Sequence, residues 1–148
     1  MILLSRRGYL ALAAVADIAI HARAAPAAAK ALAARLGLPP RHLEAMLQSL
    51  VHANILRGVR GPRGGYELAR ERRRITAGSV LRAVSGQNET GGTVNCPIVR
   101  DVVAPAIAVA GKAFLAELER ITIDDICRRA EDLRLYEQEK TPGPDFAI

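Results

Sequence analysis

The stretch Arg60-Gly61-Pro62-Arg63-Gly64-Gly65 forces a tight chain reversal, and it constrains the rest of the chain more than any other feature. Glycine supplies positive φ without steric cost and proline pre-sets the neighbouring dihedral, so the segment is a turn. On either side stand short apolar-alternating runs, Ile55–Val59 and Tyr66–Ala69. Two such runs around a Gly-Pro turn read as a β-hairpin. Residues 57–74 also carry seven arginines (57, 60, 63, 70, 72, 73 and 74) against Glu67 and Glu71. A Gly-rich tip lets Gly64 and its neighbours bring backbone N–H groups and arginines close to phosphates.

The hairpin follows a helical region. Helix one is expected from about Leu4 to Ala22, with Tyr9, Leu12, Ala13, Ala16 and Ile20 at helical spacing, and Ala24-Ala25-Pro26 breaks it. A second helix from about Ala27 to Leu36 stops at Gly37. Pro39 and Pro40 pre-set a third that runs to about Ala53, with Asn54 in the left-handed cap. Leu32, Leu36, Leu38, Leu43 and Met46, with Ala33 as the small crossing residue, suit two short helices interlocked at a steep angle. The pattern predicts a helix-turn-helix followed at once by an Arg-bearing hairpin, which is a winged helix. A plain helical hairpin with a solvated charge run is the alternative.

Thr76 caps a short helix over Ala77–Val84, with Val80, Leu81 and Val84 inward. Residues 85–95 are Gly-rich without periodicity and read as a loop closed by Cys96-Pro97. In the long helical region that follows, Ile107, Ala110, Phe114, Leu118 and Ile121 form a narrow seam of coiled-coil type, and Pro105 must sit in its first turn or kink it. Thr122 to Asp125 opens a last helix with Ile123, Ile126, Cys127, Ala130 and Leu133 on one face. Beyond Leu135 the chain turns polar and reads as disordered.

Charge divides along the same line. Residues 1–74 hold 13 basic and 4 acidic side chains, and residues 75–148 hold 8 and 11. A basic half joined to an acidic half indicates that one end meets a polyanion. Aromatic residues make up 3% of the chain and Trp is absent, which argues against stacking platforms for single strands. Two cysteines make no disulfide framework, and cytosolic residence is the simpler reading. No run approaches about 18 apolar residues, so no membrane span is expected. The start, Ser5-Arg6-Arg7-Gly8-Tyr9-Leu10, looks like a twin-arginine export signal, but Asp17 and His21 interrupt the apolar run behind it. An ordinary packed helix, with Arg6 and Arg7 free to reach phosphate, is the expectation. There is no P-loop, zinc-ligand spacing or nucleophile–base arrangement, so an enzyme is not expected.

Val59-Arg60-Gly61-Pro62-Arg63-Gly64-Gly65-Tyr66-Glu67-Leu68-Ala69, with Ile75-Thr76 and Val80 to Gly86 after it, resembles the signature of the Rrf2 (IscR-like) winged-helix transcription regulators. The resemblance extends from Gly8-Tyr9-Leu10 to the last helix. It implies a mainly α fold with a small β-hairpin wing, that is, a winged helix-turn-helix plus a long dimerisation helix. It divides the chain into a DNA-binding domain over 1–86, a sensor loop over 87–97, dimerisation helices over 98–135 and a tail over 136–148. It also implies a cytoplasmic homodimer that binds double-stranded DNA at a palindromic operator, usually as a repressor. Helix 40–53 would enter the major groove and the wing, 55–69, the minor groove.

On that reading Arg41 pairs with guanine, Glu44 accepts from cytosine N4, and Ala45 and Gln48 complete the base-facing surface. His42 meets a base or a phosphate. Arg60, Arg63 and Gly64 lie at the minor groove, while Arg6 and Arg7 clamp the backbone. Relatives usually open this helix with small hydroxyl residues where Pro39 and Pro40 stand here, so the base preference should differ. Family members that sense iron or nitric oxide carry three cysteines in the loop before the long helix, and here only Cys96 is present. One thiolate cannot replace three. No cofactor is therefore expected, and Cys96, just before a helix N-terminus, becomes a candidate redox-sensing thiol or the remnant of a lost cluster site. A winged helix used for protein contacts is the competing reading.

Overall fold

The computed structural model describes residues 4–85 and 96–135. Most of the expected sensor loop and the whole expected tail lie outside the described residues. Among them the order is α1 (Arg6–His21), α2 (Ala29–Leu36), α3 (Pro40–His52), β1 (Leu56–Val59), β2 (Gly65–Leu68), α4 (Ala77–Val84), a π-helical turn (Val99–Val103), α5 (Ala104–Leu118) and α6 (Ile123–Asp132). The fold is mainly α with one antiparallel hairpin.

Local chemistry sets most of the boundaries. The Ser5 side chain accepts from Gly8 N at 3.1 Å and starts α1. Gly37, at φ 64°, ends α2, and the Leu38 N–H returns to the Ala33 carbonyl at 3.0 Å. Pro39 and Pro40 then open α3, losing donors that a first turn leaves without partners anyway. Asn54, at φ 58°, closes α3 with the Ile55 N–H on the Leu50 carbonyl. Thr76 and Thr122 each form a reciprocal capping box, with Ser79 and Asp125.

The core lies where α1, α3, α4 and the hairpin base meet. Ile18, Leu32, Leu43, Leu47, Leu50, Ile55 and Ile75 are fully buried there. Each such side chain contributes about 1.5–3 kcal/mol of burial. From the far end of the chain Ile123 and Cys127 of α6 enter the same core, so α6 folds back onto α1 within one chain.

Two expectations about faces need correction. α1 buries Ala11, Ala14, Val15, Ala16 and Ile18, whereas Ala13 is exposed and Tyr9 is 44% exposed. Alanines surround this helix, so periodicity alone cannot select its inner side. Leu133 is 52% exposed, because α6 ends at Asp132 and Arg134 turns left-handed. The α5 seam is divided: within this chain Leu118 is buried and Phe114 half-buried, and Ile107 is 65% exposed. Pro105 sits in the first turn of α5, directly after the π-helical turn. The wider turn spares the carbonyl four residues back the clash that proline imposes on a regular helix.

The wing pairs Leu56 with Leu68, Arg57 with Glu67, Gly58 with Tyr66 and Val59 with Gly65. It is not a free-standing hairpin. Ala27 and Tyr66 exchange two backbone hydrogen bonds of 2.8 Å, which fasten β2 to the α1–α2 connection.

Candidate nucleic-acid interface

α3 is sharply divided. Leu43, Met46, Leu47 and Leu50 face the core, while Arg41, His42, Glu44, Ala45 and Gln48 are all exposed. The exposed side borders a cleft at each end. At the N-terminal end, Arg6, Arg7 and Leu10 of α1 meet Gly37, Leu38, Pro39, His42 and Met46 around an open cleft of about 480 Å³. At the other end, Gln48 and Val51 face Gly58, Val59, Arg60 and Tyr66 across a groove between α3 and the wing.

The electrostatics of the first cleft follow from its construction. Two helix N-termini, those of α1 and α3, border it, and neither carries an acidic residue in its first turn. The partial positive charge of the two termini adds to that of Arg6 and Arg7, which makes the cleft electropositive.

Of the seven arginines of residues 57–74, four have side-chain partners and Arg60, Arg63 and Arg74 have none among the described residues. Arg57 Nε binds Glu67 across the hairpin at 2.8 Å, and Arg70 Nε donates to the Asn54 carbonyl at 3.1 Å. Arg72 Nε lies 2.7 Å from Asp124 Oδ1, and Arg73 lies 3.9 Å from the other oxygen of that carboxylate. Of these four, Arg72 is the part-buried one, while Arg57 and Arg73 lie at exposed positions where an ion pair contributes little. Arg60 and Arg63, at the exposed wing tip, form no hydrogen bond or ion pair among the described residues. Arg6, Arg7, Arg41 and His42 likewise have no such partner there.

Gly64 has an intramolecular role. A Cβ on it would overlap the Val59 carbonyl oxygen, so the tip requires glycine whatever it meets. Tyr66 is the residue that sequence reasoning missed. Its hydroxyl accepts from Gln48 Nε2 at 3.4 Å, linking the wing to α3. Its position opposite Gly58, where no side chain competes for space, was the available signal.

The two thiols lie in different settings. Cys96 is half-buried, and its carbonyl accepts from the Val99 and Arg100 N–H groups. Cys127 is fully buried in α6, with Sγ 3.8 Å from the Ala16 carbonyl oxygen. Among the described residues no three His, Cys, Asp or Glu side chains gather as a metal site, and no helix is long and apolar enough to cross a membrane.

Comparison with known proteins gives this geometry its context. The model of the Rrf2 family, described as an iron-dependent transcriptional regulator, matches residues 4–129. The HTH-type transcriptional regulator IscR of Vibrio atlanticus is 35% identical over 81 residues, 55% of this chain and 47% of that protein. The chain thus spans about half the length of the curated relatives it matches. The solved structure of T. potens IscR superposes with a TM-score of 0.71 at 30% identity, covering 88% of this chain and 90% of that one. CymR of B. subtilis shares the fold, with a TM-score of 0.67 at 24% identity over 87% of this chain and 98% of its own. An exposed helix-turn-helix face, a wing with two unpaired arginines and a family match over most of the chain lead to one conclusion: the chain belongs to the Rrf2 family of DNA-binding transcriptional regulators.

Proposed function

We infer that the chain acts as a homodimeric, sequence-specific repressor in the cytoplasm, and that it binds a palindromic operator. The observation that carries this reading is the exposed face of α3 between two clefts, with Arg6 and Arg7 at one end and Arg60 at the other. A helix of this size fits the major groove with its first turns on base edges. Arg41 then pairs with guanine and Glu44 with cytosine, with Ala45 and Gln48 beside them. Arg60 and Arg63 enter or flank the minor groove, and Arg6, Arg7 and His42 hold phosphates.

Support for a dimer comes from the helical region ahead of α6. Ile98, Val102, Ile107 and Val109 are each at least 60% exposed, an apolar surface that a second copy would cover. The test combines sedimentation with duplex binding over a range of salt. A dimer whose log Kd changes steeply with log salt is expected. A monomer, or a flat salt response, would favour a protein-contact module instead.

The chain is read as working without a cluster. Cys127 is enclosed in the core, and residues 86–95 contain neither Cys nor His, so Cys96 is the one thiol available at the expected position. These residues do not fit a cluster held by this chain alone, since cluster ligation needs several protein donors. Protein purified without oxygen should be colourless and still bind DNA. Cys96 then becomes the thiol through which an oxidant acts, and loss of oxidant sensitivity in Cys96→Ala tests that role.

A further inference from the structure

Among the described residues, α5 is buried against α4 near its C-terminal end. Residues 104–113 are exposed, Phe114 is half-buried, and Leu118 is buried against Ala77 and Leu81 of α4. Beyond Leu118 the backbone pairs with the segment leaving the wing. Ala77 N donates to the Ile121 carbonyl and Ile123 N to the Ile75 carbonyl, both at 2.8 Å, so that Thr76 and Thr122 form an antiparallel bridge.

Glu119 closes this joint with its side chain. Its Oε2 accepts from Thr76 Oγ1 at 2.8 Å, and its Oε1 meets the Arg82 guanidinium. The carboxylate lies over Gly78, where a Cβ would overlap Oε1. Thr76 Oγ1 also accepts from Ser79 N at 3.1 Å, so one hydroxyl serves both the cap of α4 and the end of α5. The apolar contact of Leu118 has no directional preference and would allow α5 to rock. The hydrogen bond from Thr76 is directional and opposes that rocking, and the ion pair with Arg82 adds attraction on the other carboxylate oxygen, which has no hydrogen-bond partner among the described residues.

We propose that Glu119 is a positioning residue that fixes the angle at which α5 leaves the DNA-binding unit, and thereby the operator half-site spacing that a dimer accepts. The inference rests on the dimeric reading above. If two copies meet through α5, the separation and relative rotation of their α3 helices depend on this joint. One added base pair moves a half-site by about 3.4 Å and turns it by about 35°. A fixed joint rejects such a change, and a loose one tolerates it.

The test begins with selection of the wild-type protein on a randomised duplex library. The spacer of the enriched site is then shortened or lengthened by one base pair. Binding of wild type, Glu119→Ala and Arg82→Ala is measured by fluorescence anisotropy, with thermal unfolding as the folding control. Wild type should lose about tenfold or more on the altered spacers, as when duplex or protein must deform to fit. Glu119→Ala should remain folded, bind an isolated half-site like wild type, and lose much less on the altered spacers. Arg82→Ala, at an exposed position, should fall between the two and carries the test if Glu119→Ala does not fold. A wild-type spacer profile in a folded Glu119→Ala variant overturns the proposal, as does a wild-type profile in Arg82→Ala when Glu119→Ala is unfolded. Enrichment of single half-sites only overturns it too, since no spacing is then set. Enrichment of no motif removes the sequence-specific reading itself.

Discussion

The guanidinium of Arg35 forks onto the carboxylate of Asp17, with Nε 2.9 Å from Oδ2 and Nη2 2.7 Å from Oδ1. Asp17 is only 1% exposed, and His21 Nδ1 lies 3.3 Å from the same carboxylate. The pair ties α2 to α1 and so orients the helix-turn-helix from behind. A bidentate pair in a buried setting is strongly directional. Removing one partner leaves the other desolvated, and Arg35→Ala should cost about 3–5 kcal/mol of unfolding free energy. Denaturant unfolding checks this. Asp17→Leu combined with Arg35→Met should be less damaging than Arg35→Ala, because neither charge is then left alone.

The arginines at the wing tip and Arg72 behind it should respond in opposite ways. Arg60→Ala or Arg63→Ala should weaken duplex binding by about 1–3 kcal/mol and lower the salt slope by about one. The unfolding midpoint should not move, since neither side chain has a partner among the described residues. Arg72→Ala should lower the midpoint, because its side chain holds the nearly buried Asp124 carboxylate at 2.7 Å, while the backbone hydrogen bond from the Asp124 N–H survives the substitution. An unchanged titration for Arg60→Ala would remove that arginine from the interface.

These two groups of arginines show where sequence reading stops. Gly37, Asn54, Thr76 and Thr122 were legible because a left-handed φ or a hydroxyl cap is decided within a few residues. The hairpin was legible for the same reason. Sorting the arginines was not, because Arg72 finds Asp124, and Arg23 finds Glu131 at 3.1 Å, across the length of the fold. Nor did the charge imbalance show that Glu119, Asp124 and Glu131 of the acidic half pair with Arg82, Arg72 and Arg23. The exposed face of α3 followed directly from its alternation of apolar and polar residues. The inner face of α1 did not, because its many alanines carry little directional information.

Gly65, like Gly64, should be hard to replace. A Cβ there would overlap the Ala27 carbonyl oxygen, where β2 is fastened to the α1–α2 connection. Gly65→Ala must push the strand away and should cost about 1–3 kcal/mol, as overpacking does. Gly58, one strand away, has nothing within 4 Å of such a Cβ, and Gly58→Ala should fold normally. Thermal unfolding of the two variants side by side separates a demand of packing from a general effect of glycine.

The thiols should differ in reactivity. Burial pushes the Cys127 thiol up, and the nearby Arg72 guanidinium only partly opposes it. Thiolate is the reactive form, so Cys127 should resist thiol reagents in the native protein. Cys96 is half-buried and should react first. A disulfide reagent should therefore titrate one thiol per native chain and the second only on unfolding. Two equally fast thiols would contradict the enclosed position of Cys127.

Glu119 should make the joint at α5 acid-sensitive. The Thr76 hydroxyl, and after it Arg82, hold its carboxyl below the ordinary range, with burial acting the other way. A carboxyl whose folded value is depressed stabilises the native state at neutral pH. That contribution is lost as the pH falls below the ordinary carboxylate range and through the folded value. Glu119→Gln retains an oxygen that can accept from Thr76 but cannot titrate or pair with Arg82. Wild type should therefore be the more stable protein at neutral pH, and the gap should close with acid. Asp125 and Asp101, also held low by their own partners, titrate in both proteins and cancel in the comparison. A gap in unfolding midpoints that widens as the pH falls would show that the carboxylate is not held as described.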